Sequence, residues 1–298
     1  MKRVLISALA IIVLSGVVWI FNAKLGSFGN RRQNLNDYYI PKQIHFSFTL
    51  QNTTAHTIKK AEFWTYAPVK QTTTQKCIQI KSSHPYRLVT DDVGNQLMHF
   101  SFNGLPPYAA KILTIKTDLL LSNNIHPLLE NQLQRYLGPE KYIESDDKDI
   151  DRLAQKLKVS DNVKTARNIF HWVADNVRYA GYVKNARGAR YALIHKKGDC
   201  TEFMDLFVAL CRADRIPARG IGGYVIKGSG VVKPASYHNW AEFYDDGVWN
   251  AVDPQNGVFM QNHTDYVPMR IISASAYTPL PAFSRFGFKG DGLKVSMN

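Results

Sequence analysis

The chain has 298 residues, enough for one large domain or two modest ones, and its 45% hydrophobic and 20% charged residues exclude wholesale disorder. Lys and Arg number 37 against 24 Asp and Glu, a formal charge of +13 that reads first as basic residues scattered over a solvated surface and second as favouring contact with anionic headgroups or cell-wall polymers. No arginine-rich run, zinc-finger spacing or aromatic-interleaved basic strand accompanies that charge, so nucleic acid is not an expected partner.

Met1, Lys2 and Arg3 precede an uncharged stretch from Val4 to Phe21. Its length reaches the ~17–25 residues that cross a bilayer. A cleavable signal ends in a small-x-small pattern, whereas Phe21-Asn22-Ala23 puts a ring where a small side chain is wanted. The expectation is an uncleaved signal anchor over 1–24 and a polar linker over 25–40. Lys2 and Arg3 set the N-terminus in the cytoplasm, although Lys24, Arg31 and Arg32 weaken that bias. The bulk of the chain is then expected on the extracytoplasmic, periplasmic face of the membrane, or secreted if the segment is cleaved.

From Gln43 to Leu50 apolar and polar residues alternate, putting Ile44, Phe46, Phe48 and Leu50 on one face of a strand. Further strand-like runs cover Ala61–Tyr66, Lys76–Lys81, Tyr86–Thr90, Gln96–Phe102 and Ala110–Leu119, several of them separated by Gly, Pro, Asn and Asp turns. Short strands with such punctuation predict a small antiparallel β-sandwich over 41–121. Cys77 falls in one of them and reads as a structural thiol. No chemistry-bearing pattern is apparent in this half.

From about Ser122 the texture turns helical, and 122–298 reads as a second unit with a C-terminal tail wrapped on its core. Its boundary falls at Pro139 or in the acidic stretch Glu144–Asp151. Val163, Ala166, Phe170, Val173 and Val177 recur at helical steps, with Asp161 as a cap. Then Gly198-Asp199 leads into Cys200, after which Phe203, Leu206, Phe207, Leu210 and Cys211 hold the spacing of a core-facing helix. Cys200 thus lies in the first turn, where free amides and the helix dipole favour a thiolate. Cys211 belongs to the core, and the helix ends before Ile216-Pro217. Eleven helical residues separate Cys200 from Cys211 by roughly 16 Å, too far for a disulfide.

Tyr237–Tyr244 and Val248–Asp253 read as a hairpin turned by Asp245-Asp246-Gly247. A two-residue loop at Asp245-Asp246 sets His238 directly opposite Asp253. A loop at Asp246-Gly247 makes them diagonal neighbours on one face, and a three-residue loop breaks the arrangement. With either short loop a carboxylate can orient an imidazole, the base-plus-orienter pair that a nucleophile needs.

In this order the segments resemble the transglutaminase-like superfamily over roughly residues 160–257. The resemblance rests on Gly198-Asp199-Cys200, on Arg212–Arg219 with Gly222-Gly223-Tyr224, on His238-Asn239-Trp240-Ala241-Glu242 and on Trp249–Pro254. It implies an α+β fold with a papain-like core, the cysteine helix packed on an antiparallel sheet that carries His and Asp. It also implies acyl transfer through a thioester, with Cys200 as nucleophile, His238 as general base and Asp253 as its orienter. The implied substrate is a protein or peptide amide; no cofactor is implied, and no calcium-ligand spacing is present, so no metal is expected. Asn239 departs from the pattern, standing where a small residue is common. The segment Arg190–Leu193 is where a second oxyanion donor is expected. Water as acceptor makes a peptidase or amidase, the first expectation; an amine acceptor makes a cross-linking transglutaminase. A non-catalytic envelope scaffold is the third reading.

Overall fold

Ile44, Phe46, Phe48 and Leu50 line one side of β1 (Ile40–Asn52), and all four are buried, as their alternation requires. The computed structural model of the protein describes residues 38–128, 132–182, 185–273, 280 and 283–298. The expected anchor at 1–24 lies outside the described residues, as does most of the expected linker. Among the described residues no helix is long and apolar enough to cross a membrane.

After β1 come β2 (Ile58–Ala67), β3 (Gln75–Ser82), β4 (Arg87–Thr90), β5 (Gln96–Leu105) and β6 (Ala110–Leu121). One sheet pairs β1 with β6 and β6 with β3; the other pairs β2 with β5 and β5 with β4, all antiparallel. Their apolar faces meet through Phe48, Phe63 and Phe100, with ring centroids 4.7 Å and 5.9 Å apart along that row. Cys77 sits where the β3–β6 register shifts, half-buried, and burial pushes its thiol up to about 11.

The acidic stretch expected as a boundary instead starts a helix. Asp147 caps α1 (Lys148–Leu157) by accepting from the Asp149 and Ile150 N–H groups. Asp161 caps α2 (Asn162–Asn176) through the Lys164 N–H at 2.7 Å. The short β7 (Arg178–Tyr179), α3 (Gly188–His195) and β8 (Lys197–Gly198) follow, with β7 and β8 paired in parallel. They lead into α4 (Cys200–Ala213).

The remaining strands are β9 (Ala218–Val225), β10 (Gly230–Val231), β11 (Tyr237–Asp245), β12 (Val248–Asp253), β13 (Val258–Phe259) and β14 (Tyr266–Ile272). All but β10 form one antiparallel sheet in the order β13-β12-β11-β9-β14. The α4 side chains Phe203, Phe207 and Leu210 cluster with Ala218, Ala241 and Phe243 of this sheet. Ile221, Trp240 and Ile271 cluster instead with Val69 of the sandwich, while Tyr224, Val267 and Met269 enter the sandwich core itself. The Asn95 side-chain amide clamps β14 to the sandwich, donating to Ile271 C=O at 2.9 Å and accepting from its N–H at 2.6 Å.

The end of the chain returns to the sandwich. β15 (Phe286–Lys289) pairs with β2, and β16 (Leu293–Met297) pairs with β1. The tail therefore completes both sandwich sheets, which a division at residue 122 does not express. β10 also leaves the second half to pair with β1.

Because both halves share buried side chains, they are expected to unfold together. Phe63→Ala, which opens a cavity at a fully buried site, should cost about 3–5 kcal/mol. Calorimetry should show one shifted transition; two separated transitions would contradict a shared core.

Candidate active site

The first turn of α4 is fixed by reciprocal capping. Asp199 accepts from the Thr201 N–H at 2.8 Å, and Glu202 reaches back to the Asp199 N–H at 2.9 Å. Gly198 makes this possible, since a Cβ there would stand 2.4 Å from the Glu202 Cβ. Glu202, fully buried, also accepts from the Arg187 N–H at 2.9 Å and meets its guanidinium at 3.3 Å. The cap thereby holds Cys200, which is partly exposed, at the start of the helix.

The hairpin takes the Asp246-Gly247 loop, with Asp245 paired to Val248 and positive φ at both turn residues. Positive φ at both positions is the type I′ geometry that Asp-Gly favours. Of the two short-loop registers this is the diagonal one. Continued to the strand end, it offsets Asp253 from His238, and the side chains meet: His238 Nε2 lies 2.8 Å from Asp253 Oδ2. The Cys200 thiol also acts on the ring, raising its pKa through a hydrogen bond and its charge. Burial pushes the imidazole pKa down. The hydrogen bonds to Asp253 and Cys200, with their negative charges, outweigh it and raise it to about 9. All three expected residues thus come together.

Two groups at the site were not expected. Tyr266 Oη donates to Asp253 Oδ2 at 2.8 Å, and Asn256 Nδ2 donates to the same oxygen at 2.7 Å. The Asn256 N–H donates to the other oxygen at 3.2 Å. Burial and then the neighbouring Asp253 charge push the Tyr266 phenol up, which keeps it a donor. The Tyr266 ring also packs edge-on against Trp240, centroids 5.0 Å apart.

Residues 151–254 match the family model of the transglutaminase-like superfamily. Over that stretch the chain carries a transglutaminase-like core. Among solved structures it is similar to a candidate cysteine protease from Cytophaga hutchinsonii, at 17% identity and a TM-score of 0.58. That likeness covers 87% of this chain and 92% of the other. It also aligns with the periplasmic domain of TgpA from Pseudomonas aeruginosa, at 14% identity and a TM-score of 0.40, over 68% of this chain and 89% of the other. No curated protein matches the sequence at a significant level.

Within this transglutaminase-like core the motif arginines are structural. Arg212 is buried against Glu140 at 2.9 Å, with its Nε donating to Ala218 C=O; Arg219 pairs with buried Glu242 at 2.8 Å and lies over the Trp249 ring. Asn239, the departure from the family pattern, has a clear job. Its Nδ2 donates to Thr201 Oγ1 at 2.9 Å, tying the histidine strand to the residue after the cysteine. The Arg190–Leu193 segment, by contrast, is turned to other partners. The Arg190 N–H donates to Glu144 and its guanidinium to Asp147, while Ala192 is buried in the helical core.

The balance of forces on His238 is directly measurable. Asp253→Asn removes the largest force opposing burial, so the His238 imidazole should titrate well below the parent's value of about 9 by NMR. Because the folded value is raised, the pair's stabilisation is complete below about 6.5 and is lost as pH rises through about 9. Thermal unfolding of the parent should show that loss over this window, and Asp253→Asn should lessen it. An unchanged His238 titration in the variant would contradict the assigned cause.

Proposed function

We propose that this protein is a cysteine enzyme that opens protein or peptide amides through a thioester on Cys200, with water as the preferred acceptor. The observation that carries the reading is one imidazole, His238, hydrogen-bonded to both Cys200 and Asp253 beside a helix N-terminus. That arrangement supports an imidazolium at His238 below about pH 9, beside the Cys200 sulfur. The thiolate adds to the amide carbonyl, and helix-start amides offer hydrogen bonds to the developing oxyanion. His238 passes its proton to the leaving amine, and the C–N bond breaks to leave the thioester. A water, deprotonated by His238, then adds to the thioester and restores the thiol. Asp253 keeps its partner ring in register throughout, held in turn by Tyr266 and Asn256.

A lysine amine in place of water makes the same intermediate a cross-linking one. Hydrolysis is favoured because it requires no second binding site. We place the reaction outside the cytoplasm, at a membrane reached through the apolar stretch Val4–Phe21 and the basic residues before it. Envelope proteins or wall-linked peptides are the substrates that suit this place and the +13 charge.

The test is turnover of a peptide mixture with and without a free alkylamine, read by product mass. The expected products carry new carboxylates, and Cys200→Ala or His238→Ala should each lower kcat/KM by about 10³-fold or more. Amine adducts dominating over carboxylates would assign the protein to cross-linking. Activity surviving in Cys200→Ala would refute the thioester.

A further inference from the structure

Beyond the reactive pair, the fold buries one arginine, Arg270, and half-buries another, Arg285. Arg270, on β14, is only 4% exposed, yet among the described residues neither it nor Arg285 pairs with a carboxylate. The Arg270 Nε is buried without a hydrogen-bond partner, and its Nη1 reaches only Ser284 C=O at 3.5 Å. The chain between these two arginines contains no Asp or Glu. The contrast with Arg212 and Arg219, each buried against a glutamate, is plain. Enclosing an unanswered charge is costly, and a site so built is suited to an anion from outside.

The Arg270 guanidinium stands over the Tyr66 ring at 5.0 Å, and that of Arg285 over the Tyr237 ring at 4.9 Å. Tyr66, Tyr237 and Arg285 line one cavity between the sandwich and the active-site sheet, floored by Phe46 and Met269. Tyr237 immediately precedes His238. The point where a Cβ on Gly222 would stand is 2.3 Å from Tyr237 Oη and 3.2 Å from Asn239 Oδ1, and Asn239 bonds the residue after Cys200. Burial pushes the Tyr237 phenol up to about 12; Arg270 and Arg285 pull against it, while Tyr66 and Cys200 push with it. One hydroxyl thus feels both arginines and the thiol.

We propose that Arg270 and Arg285 form a carboxylate-binding subsite next to Cys200, which selects peptide substrates bearing a free carboxylate close to the scissile amide. Planar guanidiniums match a carboxylate's two oxygens, and the tyrosine rings exclude the water that would compete for them. The subsite deepens the reading of the protein as an amide-opening cysteine enzyme and rests on it. It also gives the sandwich a part in recognition, through Tyr66.

The test compares alkylation of Cys200 by iodoacetate and by iodoacetamide, which form the same S–C bond with loss of iodide but differ in charge. The ratio of the two rates should exceed that of N-acetylcysteine by about tenfold. It should fall to the free-thiol value in Arg285→Gln and in Arg270→Gln while the iodoacetamide rate holds. A parent ratio equal to that of the free thiol overturns the subsite. Equal loss of both rates in the variants also overturns it, and assigns the arginines to holding the thiolate. N-acetyl-dialanine and an acetylated glutamyl amide, each used to slow iodoacetamide, then tell a chain-terminal carboxylate from an acidic side chain. If Cys200 reacts with neither reagent, the enzymatic reading fails, and a second measurement decides the subsite alone. Millimolar 3-phenylpropionate, but not its amide, should then raise Tm in the parent and not in Arg285→Gln; no rise overturns the proposal.

Discussion

One oxygen organises this site. Asp253 Oδ2 meets His238 Nε2 and takes hydrogen bonds from Tyr266 and Asn256, so three separate parts of the chain converge on one buried carboxylate. A buried carboxylate left unsatisfied is costly, so those partners are fixed by the same term that makes the residue tolerable. Everything upstream serves that convergence. The type I′ turn sets the hairpin register, β9 carries β14 and hence Tyr266 to the other side of Trp240, and the sandwich holds β14 through Asn95.

The cysteine arrives by an independent route. Its position depends on the Asp199–Glu202 capping box and on Arg187, which closes over Glu202. The two routes are joined by the Asn239–Thr201 hydrogen bond. Asn239 therefore ties the strand of His238 to the helix of Cys200, at a position where the resemblance implied a small residue.

Much of this could be read in the sequence because it is local. The period of two in β1, the apolar spacing of α4, the Asp199 cap and the Asp-Gly turn are each decided by neighbours a few residues apart. Cys200, His238 and Asp253 were legible because each stands at such a punctuation point. Tyr266 was not: it reaches Asp253 only through the pairing of β14 with β9, and nothing in its own neighbourhood records that pairing. Asn256 left a weak trace, an Asn three residues past the carboxylate in a turn after Pro254. The destination of the tail was hidden for the same reason as Tyr266, since β15 and β16 find their partners more than 200 residues away. In the acidic run Glu144–Asp151, Asp147 caps α1, a role that charge density alone does not reveal.

The central claim is that Cys200 and His238 act as one ionised pair. The measurement that tests it most directly is the alkylation rate of each cysteine, by mass spectrometry, from pH 4 to 9 in the parent and in His238→Ala. Cys200 should react fast well below the ordinary thiol pKa of about 8.5 and lose that advantage without His238, while Cys77 and Cys211, their thiols pushed up by burial, stay slow in both proteins. A Cys200 as slow as the other two in the folded parent, and indifferent to His238, would contradict the account.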